Sequence, residues 1–240
     1  MGVTINCDMG ESFSLYQCGD DEGLMPFVDI ANVACGFHAS DPSVMRATVA
    51  LAAEHGVAVG AHPSFPDMQG FGRREMTMDR EELAACLIYQ IGALRGFLDE
   101  KGMSLNHIKP HGALYGAAMR HRHVANAVAD AAKIFGVPLL AMRGTLQEEV
   151  YTERGVPFLA EYYADLDYDA SGGLIITRKH DAKDPAEAAR RVKLVLDDNK
   201  ATTIEGTLID MQADTICVHS DTPGAVELAS AVRQTLDEAR

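Results

Sequence analysis

The sequence predicts one α/β domain over residues 1–240, an incomplete (β/α) barrel of about seven strands. Three observations lead there. Short apolar stretches alternate with helical stretches about seven times along the chain. No low-complexity linker interrupts them. Polar, titratable residues recur just past the apolar stretches. A ring of strands gathers such residues at one mouth, whereas an open doubly wound sheet, the alternative, gathers them only near its switch point.

Taken in order, residues 3–7 form a first strand that ends at Asp8-Met9-Gly10-Glu11, and Gly10 permits a turn sharp enough for Asp8 and Glu11 to face one end. After a polar loop, residues 27–35 form a second strand, closed by Gly36-Phe37-His38. Asp41 caps a helix that Pro42 opens and Gly56 ends. Strand three, residues 57–61, stops at His62-Pro63 and gives way to a loop rich in proline and glycine, carrying Asp67, Arg73 and Arg74. Asp79 can cap a long amphipathic helix from about Arg80 to Lys101, ended by Gly102. Strand four, residues 105–109, ends in Lys109-Pro110-His111-Gly112. A helical stretch follows over 113–135, interrupted near residues 120–122. Strand five (138–142), a helix (145–154), strand six (156–161), a short strand (174–177), a helix opened by Asp184-Pro185 and a last core strand (215–218) complete the alternation. That last strand ends at His219-Ser220-Asp221, and Pro223 opens the final helix.

Composition excludes several functions. The formal charge of −14 argues against nucleic acid and anionic membranes as partners, so an anionic small molecule would need local Lys or Arg. No apolar run approaches the roughly 20 residues of a membrane span. The chain enters its first strand without a leader, and five cysteines form no C-x-x-C pair. Both point to reduced thiols and a cytoplasmic location. Neither a G-x-G-x-x-G nor a P-loop follows a strand, so neither familiar nucleotide cradle is encoded.

The strand ends carry Asp8 with Glu11, His38 with Asp41, His62 with Asp67, Lys109 with His111, Glu161 with Asp165, and His219 with Asp221. Four of nine histidines occupy these positions, too many for incidental capping. Two chemistries fit. Asp8, His38 and His62 have the residue types to bind a divalent metal that polarises a carbonyl or activates water. Alternatively, a carboxylate such as Asp8 works with a histidine to activate water against an amide, while Lys109 or a histidine stabilises the oxyanion or holds a substrate carboxylate. Arg73 and Arg74 suit an anion, but as neighbours they point apart, so at most one of them enters the site. Cys7, Cys35 and Cys217 lie within strands and read as core packing.

At these residues the sequence resembles the LamB/YcsF family, whose characterised members are the A subunits of prokaryotic 5-oxoprolinase. The resemblance rests on INCDMGE (5–11), NVACGFHASDP (32–42), GVAVGAHPSFPD (56–67), GFGRR (70–74), YQIGAL (89–94), KPHGALY (109–115) and CVHSDTPGA (217–225). It implies a barrel similar to glycoside hydrolases and deacetylases. It also implies ATP-dependent opening of 5-oxoproline to glutamate, together with partner subunits B and C, the ATP being used by the complex. Asp8, His38, His62, Lys109 and His111 would then be catalytic, and Asn6, Glu11, Asp67, Arg73, Glu161, His219 and Asp221 would contact substrate. The alternatives are a stand-alone metal-dependent amidohydrolase or deacetylase, a hydrolase of a related lactam, and a non-catalytic scaffold within the complex. The chain departs from the family pattern at Ser40, in its first motif (Thr4-Ile5-Asn6), and at Leu166, where the family usually carries arginine.

Overall fold

In the computed structural model, which describes residues 2–176 and 181–239, the strands in chain order are β1 (Thr4–Met9), β2 (Ile30–Ala34), β3 (Ala58–His62), β4 (Leu139–Ala141), β5 (Phe158–Tyr163), β6 (Asp167–Tyr168), β7 (Leu174–Ile175), β8 (Lys200–Thr202), β9 (Leu208–Asp210) and β10 (Thr215–His219). The helices are α1 (Asp21–Leu24), α2 (Pro42–His55), α3 (Arg80–Lys101), α4 (Gly112–Arg120), α5 (Arg122–Phe135), α6 (Leu146–Glu153), α7 (Pro185–Asp198) and α8 (Ala225–Glu238). Six strands pair in the order β3-β2-β1-β10-β5-β4, all parallel.

The sheet curls until its edges share one neighbour. Ile108 bridges Ala61 at the end of β3 and Leu139 at the start of β4, both in parallel sense. Backbone bonds from Asn106 N to Val59 O (2.8 Å), Lys109 N to Ala61 O (2.9 Å) and Ile108 N to Pro138 O (3.0 Å) complete the join. The predicted fourth strand is therefore a single bridging stave, and the ring has seven members. Such closure leaves no exposed sheet edge.

Other sequence expectations shift for local reasons. Strand two begins at Ile30, because Pro26 opens a 3-10 turn over Met25–Phe27. Strand six begins two residues late and runs on to Tyr163, since Pro157 has no N–H to donate; only its carbonyl pairs, accepting from Leu139 N. The predicted strand at 174–177 is not a barrel stave: Leu174 and Ile175 pair antiparallel with β6, and Thr177 lies outside the described residues. A second short hairpin, β8-β9, is not predicted from the sequence. The helix starting at Pro42 and stopping at Gly56 in left-handed geometry agrees with expectation, as does the break between α4 and α5 at His121. Among the described residues no helix is long and apolar enough to cross a membrane.

Alternate residues of each stave point outward and form the core with the helices: Ile5, Cys7 and Met9, Ala31 and Val33, Val59 and Ala61, Ile108, Ile216 and Val218 are all buried there. The intervening residues face the lumen. They are polar, and they make the site.

Candidate active site

Hydrophobic filling would normally occupy a barrel interior. Here Asn6 and Asp8 of β1, Asn32 of β2, His62 of β3, His107 and Lys109 of the bridging stave, Glu161 and Tyr163 of β5, and Thr215, Cys217 and His219 of β10 bond to one another instead. In the lower layer, Asn6 Nδ2 donates to Thr215 Oγ1 (3.0 Å), and His107 Nε2 donates to Asn32 Oδ1 (2.6 Å). Asn32 Nδ2 then reaches Asn6 Oδ1 and Asp8 Oδ1, each at 2.8 Å. Gly60 makes room for this layer, because a Cβ there would lie 2.2 Å from the His107 ring.

Above it sits Asp8, only 3% exposed. Its Oδ1 accepts from Lys109 Nζ (2.9 Å), and its Oδ2 lies 3.2 Å from His62 Nε2 and 3.6 Å from His219 Nε2. Burial raises the Asp8 pKa, but His62 and Lys109 outweigh it and hold the carboxyl well below its usual range. Lys109 Nζ also contacts Glu161 Oε1 (3.1 Å) and Cys217 Sγ (3.0 Å). Burial lowers the lysine pKa, yet Asp8, with Cys217 and Glu161, more than reverses this and keeps the ammonium charged. Tyr163 donates to Glu161 Oε2 (2.8 Å) and lies under the ammonium, 5.2 Å from its ring centroid.

Beside Asp8 lies a second carboxylate cluster. Glu11 Oε1 is 2.9 Å from His38 Nε2 and 3.2 Å from His111 Nδ1. Burial pushes Glu11 up, and the hydrogen bonds from His111 and His38 bring it well below normal. His38 and His111 stack, with ring centroids 3.7 Å apart and planes 6° from parallel. Burial drives His38 down to about 3, so that ring is neutral, and burial also lowers His111. His62 Nδ1 donates to Lys109 O (2.7 Å), and His111 Nε2 donates to Phe71 O (2.8 Å). Phe71 adopts a left-handed conformation (φ 56°), which aims that carbonyl at the ring.

Two further cationic groups are each paired with a carboxylate. Arg73 Nη2 bonds Asp221 Oδ2 (2.7 Å). His219 Nδ1 faces both oxygens of Asp165 at 3.0 Å, and His219 N and Thr222 Oγ1 donate to the same carboxylate. Burial lowers the His219 pKa, but Asp165 overcomes it and raises the group to about 9. The pocket is small: the centre of a water-sized sphere can range over about 30 Å³ of it. Its lining is both charged, with Asp8, His62, Arg73, Lys109 and His219, and apolar, with Leu166, Leu174 and Ile176.

The structure thus brings Asp8, His62, Lys109, His111, Arg73 and His219 to one pocket. Glu11, His38 and Asn6 stand behind it, buried against its lining residues. Three expectations are corrected. Asp67 does not face the pocket: it caps the 3-10 turn Met68–Gly70 and pairs with Arg74, which points away from Arg73. Asp221 pairs with Arg73 and is not among the residues that line the pocket. Glu161 lies within β5 rather than beyond it and meets Lys109 from below. The metal candidates also regroup. His38 and His62 cluster with Glu11 and His111, whereas Asp8 falls with Cys217 and His219. Cys217 is more than packing, since it accepts from Lys109; the five cysteines are all free. Asn32, His107, Tyr115 and Tyr163 are not among the residues the sequence singles out. Alternation of polar with apolar residues in VTINCD and LNHIK was the signal for the lumen-facing ones.

A barrel whose strand ends converge ionised carboxylates, a buried ammonium and paired histidines on a small pocket defines the class: a hydrolase-like (β/α) barrel. The model of the LamB/YcsF family matches residues 3–240, and the chain belongs to that family. It is 46% identical to the lactam utilization protein lamB of Emericella nidulans over 98% of this chain and 94% of that protein. It is also 46% identical to the 5-oxoprolinase A subunit of Chloroflexus aggregans, over 100% of this chain and 96% of the relative. The crystal structure of the lactam utilization protein of Thermus thermophilus superposes with a TM-score of 0.90 at 43% identity, covering 100% of this chain and 97% of that one.

Proposed function

We propose that residues 1–240 form one catalytic unit, the A subunit of an ATP-dependent 5-oxoprolinase. In this reading it acts in the cytoplasm with partner subunits B and C. The partners use ATP to phosphorylate the lactam oxygen, and this chain opens the activated ring. The absence of either familiar nucleotide motif and the subunit names of its relatives support that division.

An activated imidate needs only a weak base, which suits Asp8. It is ionised at all working pH values, and the groups around it fix its orientation. Water adds to the activated carbon and gives one proton to Asp8. That proton passes to the ring nitrogen, and the hydroxyl of the adduct gives up the second proton to the same nitrogen as the C–N bond opens, leaving a free amine. A second water releases phosphate from the resulting γ-carboxyl phosphate, leaving glutamate. Arg73 and His219, at the rim, supply positive charge for the substrate carboxylate or the phosphate, and Lys109 balances the charge that develops beside Asp8. The Asp8 geometry carries this reading.

Its test is product formation by the reconstituted complex with Asp8→Asn. Loss of glutamate with the complex still assembled supports the role, and undiminished turnover favours a scaffold. A related lactam is the second reading, favoured by Leu166: it lines the pocket beside Leu174 and Ile176, an apolar wall that suits a ring with more carbon than 5-oxoproline. Competing substituted lactams against 5-oxoproline distinguishes the two.

A further inference from the structure

The histidine pair at the pocket wall has a feature that the hydrolytic reading leaves unused. A main-chain carbonyl only accepts. The 2.7 Å bond to Lys109 O therefore places the His62 proton on Nδ1, and the 2.8 Å bond to Phe71 O places the His111 proton on Nε2. The other nitrogen of each ring points inward. His62 Nε2 and His111 Nδ1 face each other at 2.9 Å, with Glu11 Oε1 3.2 Å from the latter. Three atoms of metal-ligand type converge within 4.8 Å of one another, all buried, and Asp8 Oδ2 adds negative charge 3.2 Å from His62 Nε2. A cation belongs between them.

We propose that Glu11 Oε1, His62 Nε2 and His111 Nδ1 form a divalent-metal site of the zinc class, with its open position toward the lactam pocket. Two imidazoles and one carboxylate leave a coordination position for water or substrate, as catalytic zinc requires. His62 and His111 line the pocket, while Glu11 lies behind them, so that open position faces the substrate. The carbonyls on the outer ring nitrogens are the outer-shell partners that orient metal-binding histidines.

Two other ligand sets are less suitable. His38 belongs to the same cluster, but its ring lies parallel to His111 at 3.7 Å, and in-plane lone pairs of stacked rings do not converge on one ion. His38 instead donates Nε2–H to Glu11 and orients it. In the set of Asp8, Cys217 and His219, the Lys109 ammonium sits 2.9 Å from Asp8 and 3.0 Å from Cys217, and a buried positive charge there repels a second cation.

The inference deepens the hydrolytic reading and rests on the same pocket. Its readout is occupancy rather than turnover, so either can fail alone. The full chain, stripped by chelator and dialysed, is titrated with Zn(II) and, separately, with Co(II) as a spectroscopic probe. One ion per chain is expected, with ligand-field bands of low-coordinate Co(II). X-ray absorption on the wild-type protein should show two imidazoles and no sulfur, which reads the ligand set without any substitution. Glu11→Gln and His111→Asn should abolish stoichiometric binding, whereas His38→Phe should weaken it by roughly 10- to 100-fold, as for an outer-shell partner. A folded wild-type chain that binds no ion would show that a shared proton, not a metal, joins the two rings, and would overturn the proposal. So would a thiolate in the absorption spectrum, or undiminished binding by a folded Glu11→Gln, His111→Asn double variant.

Discussion

Asp8 and His219 share one pocket but answer pH in opposite directions. The Asp8 carboxyl, held well below its normal range, stays ionised through neutral pH and into acid. Substituting it by Asn keeps the shape and removes the proton acceptor; kcat in the assembled complex should fall by about 10²- to 10⁴-fold, measured as initial rates of glutamate release. His219 is charged below about 9, because Asp165 raises it against the effect of burial. A raised pKa contributes stability that is fully present below the unfolded value of roughly 6.5 and lost as pH rises through about 9. The charge that His219 offers an anion disappears over the same upper range. KM for the lactam should therefore rise near pH 9 in the wild type. In Asp165→Asn the rise should come at lower pH, and a pH–KM profile that does not move would remove His219 from substrate binding.

At the scale of elements, the site depends on glycines that let side chains approach. A Cβ at Gly60 would lie 2.2 Å from the His107 ring, which holds Asn32 and through it Asp8. Gly60→Ala should destabilise the fold by about 1–3 kcal/mol, the usual cost of overpacking a core, seen as a lower Tm. Gly72 has φ 62°, and a Cβ there would press on Ser64 Oγ (2.3 Å) and the His111 ring (2.7 Å). Gly72→Ala should lower activity more than stability would explain, because it displaces His111 and its neighbour Arg73; full activity in a folded variant would contradict this. The elements also show what the sequence makes legible. Lys109-Pro110-His111 and His62-Pro63 announce themselves, since a charge at an abrupt strand end has few structural uses. The outward turn of Arg74 follows from its adjacency to Arg73. The approach of Glu11 to His111 does not, because it joins residues that only the curl of the sheet brings together. Nor does the role of His107, since a histidine in a strand that reads as apolar looks like core until the opposite face proves to be a polar lumen.

For the molecule as a whole, closing the ring through Ile108 explains why six parallel strands suffice. Seven staves were legible as alternating stretches of chain. The identity of the fourth as a lone bridge was not, because its pairing depends on the two strands it joins. The polar lumen makes the barrel a site along its length rather than only at its mouth, with the lower layer of amides and His107 positioning the charged layer above. Leu166, Leu174 and Ile176 add apolar surface to the pocket, and Leu174 belongs to the β6-β7 hairpin outside the ring. Ring opening in this account is the work of this chain, and activation by ATP that of its partners. The direct test is to reconstitute the Asp8→Asn chain with its partner subunits, 5-oxoproline and ATP, and to measure glutamate and ADP in the same sample. ADP formation that continues while glutamate falls by about two orders of magnitude or more is the predicted result. Glutamate forming at the wild-type rate, in step with ADP, would contradict it and place the hydrolytic step outside this barrel.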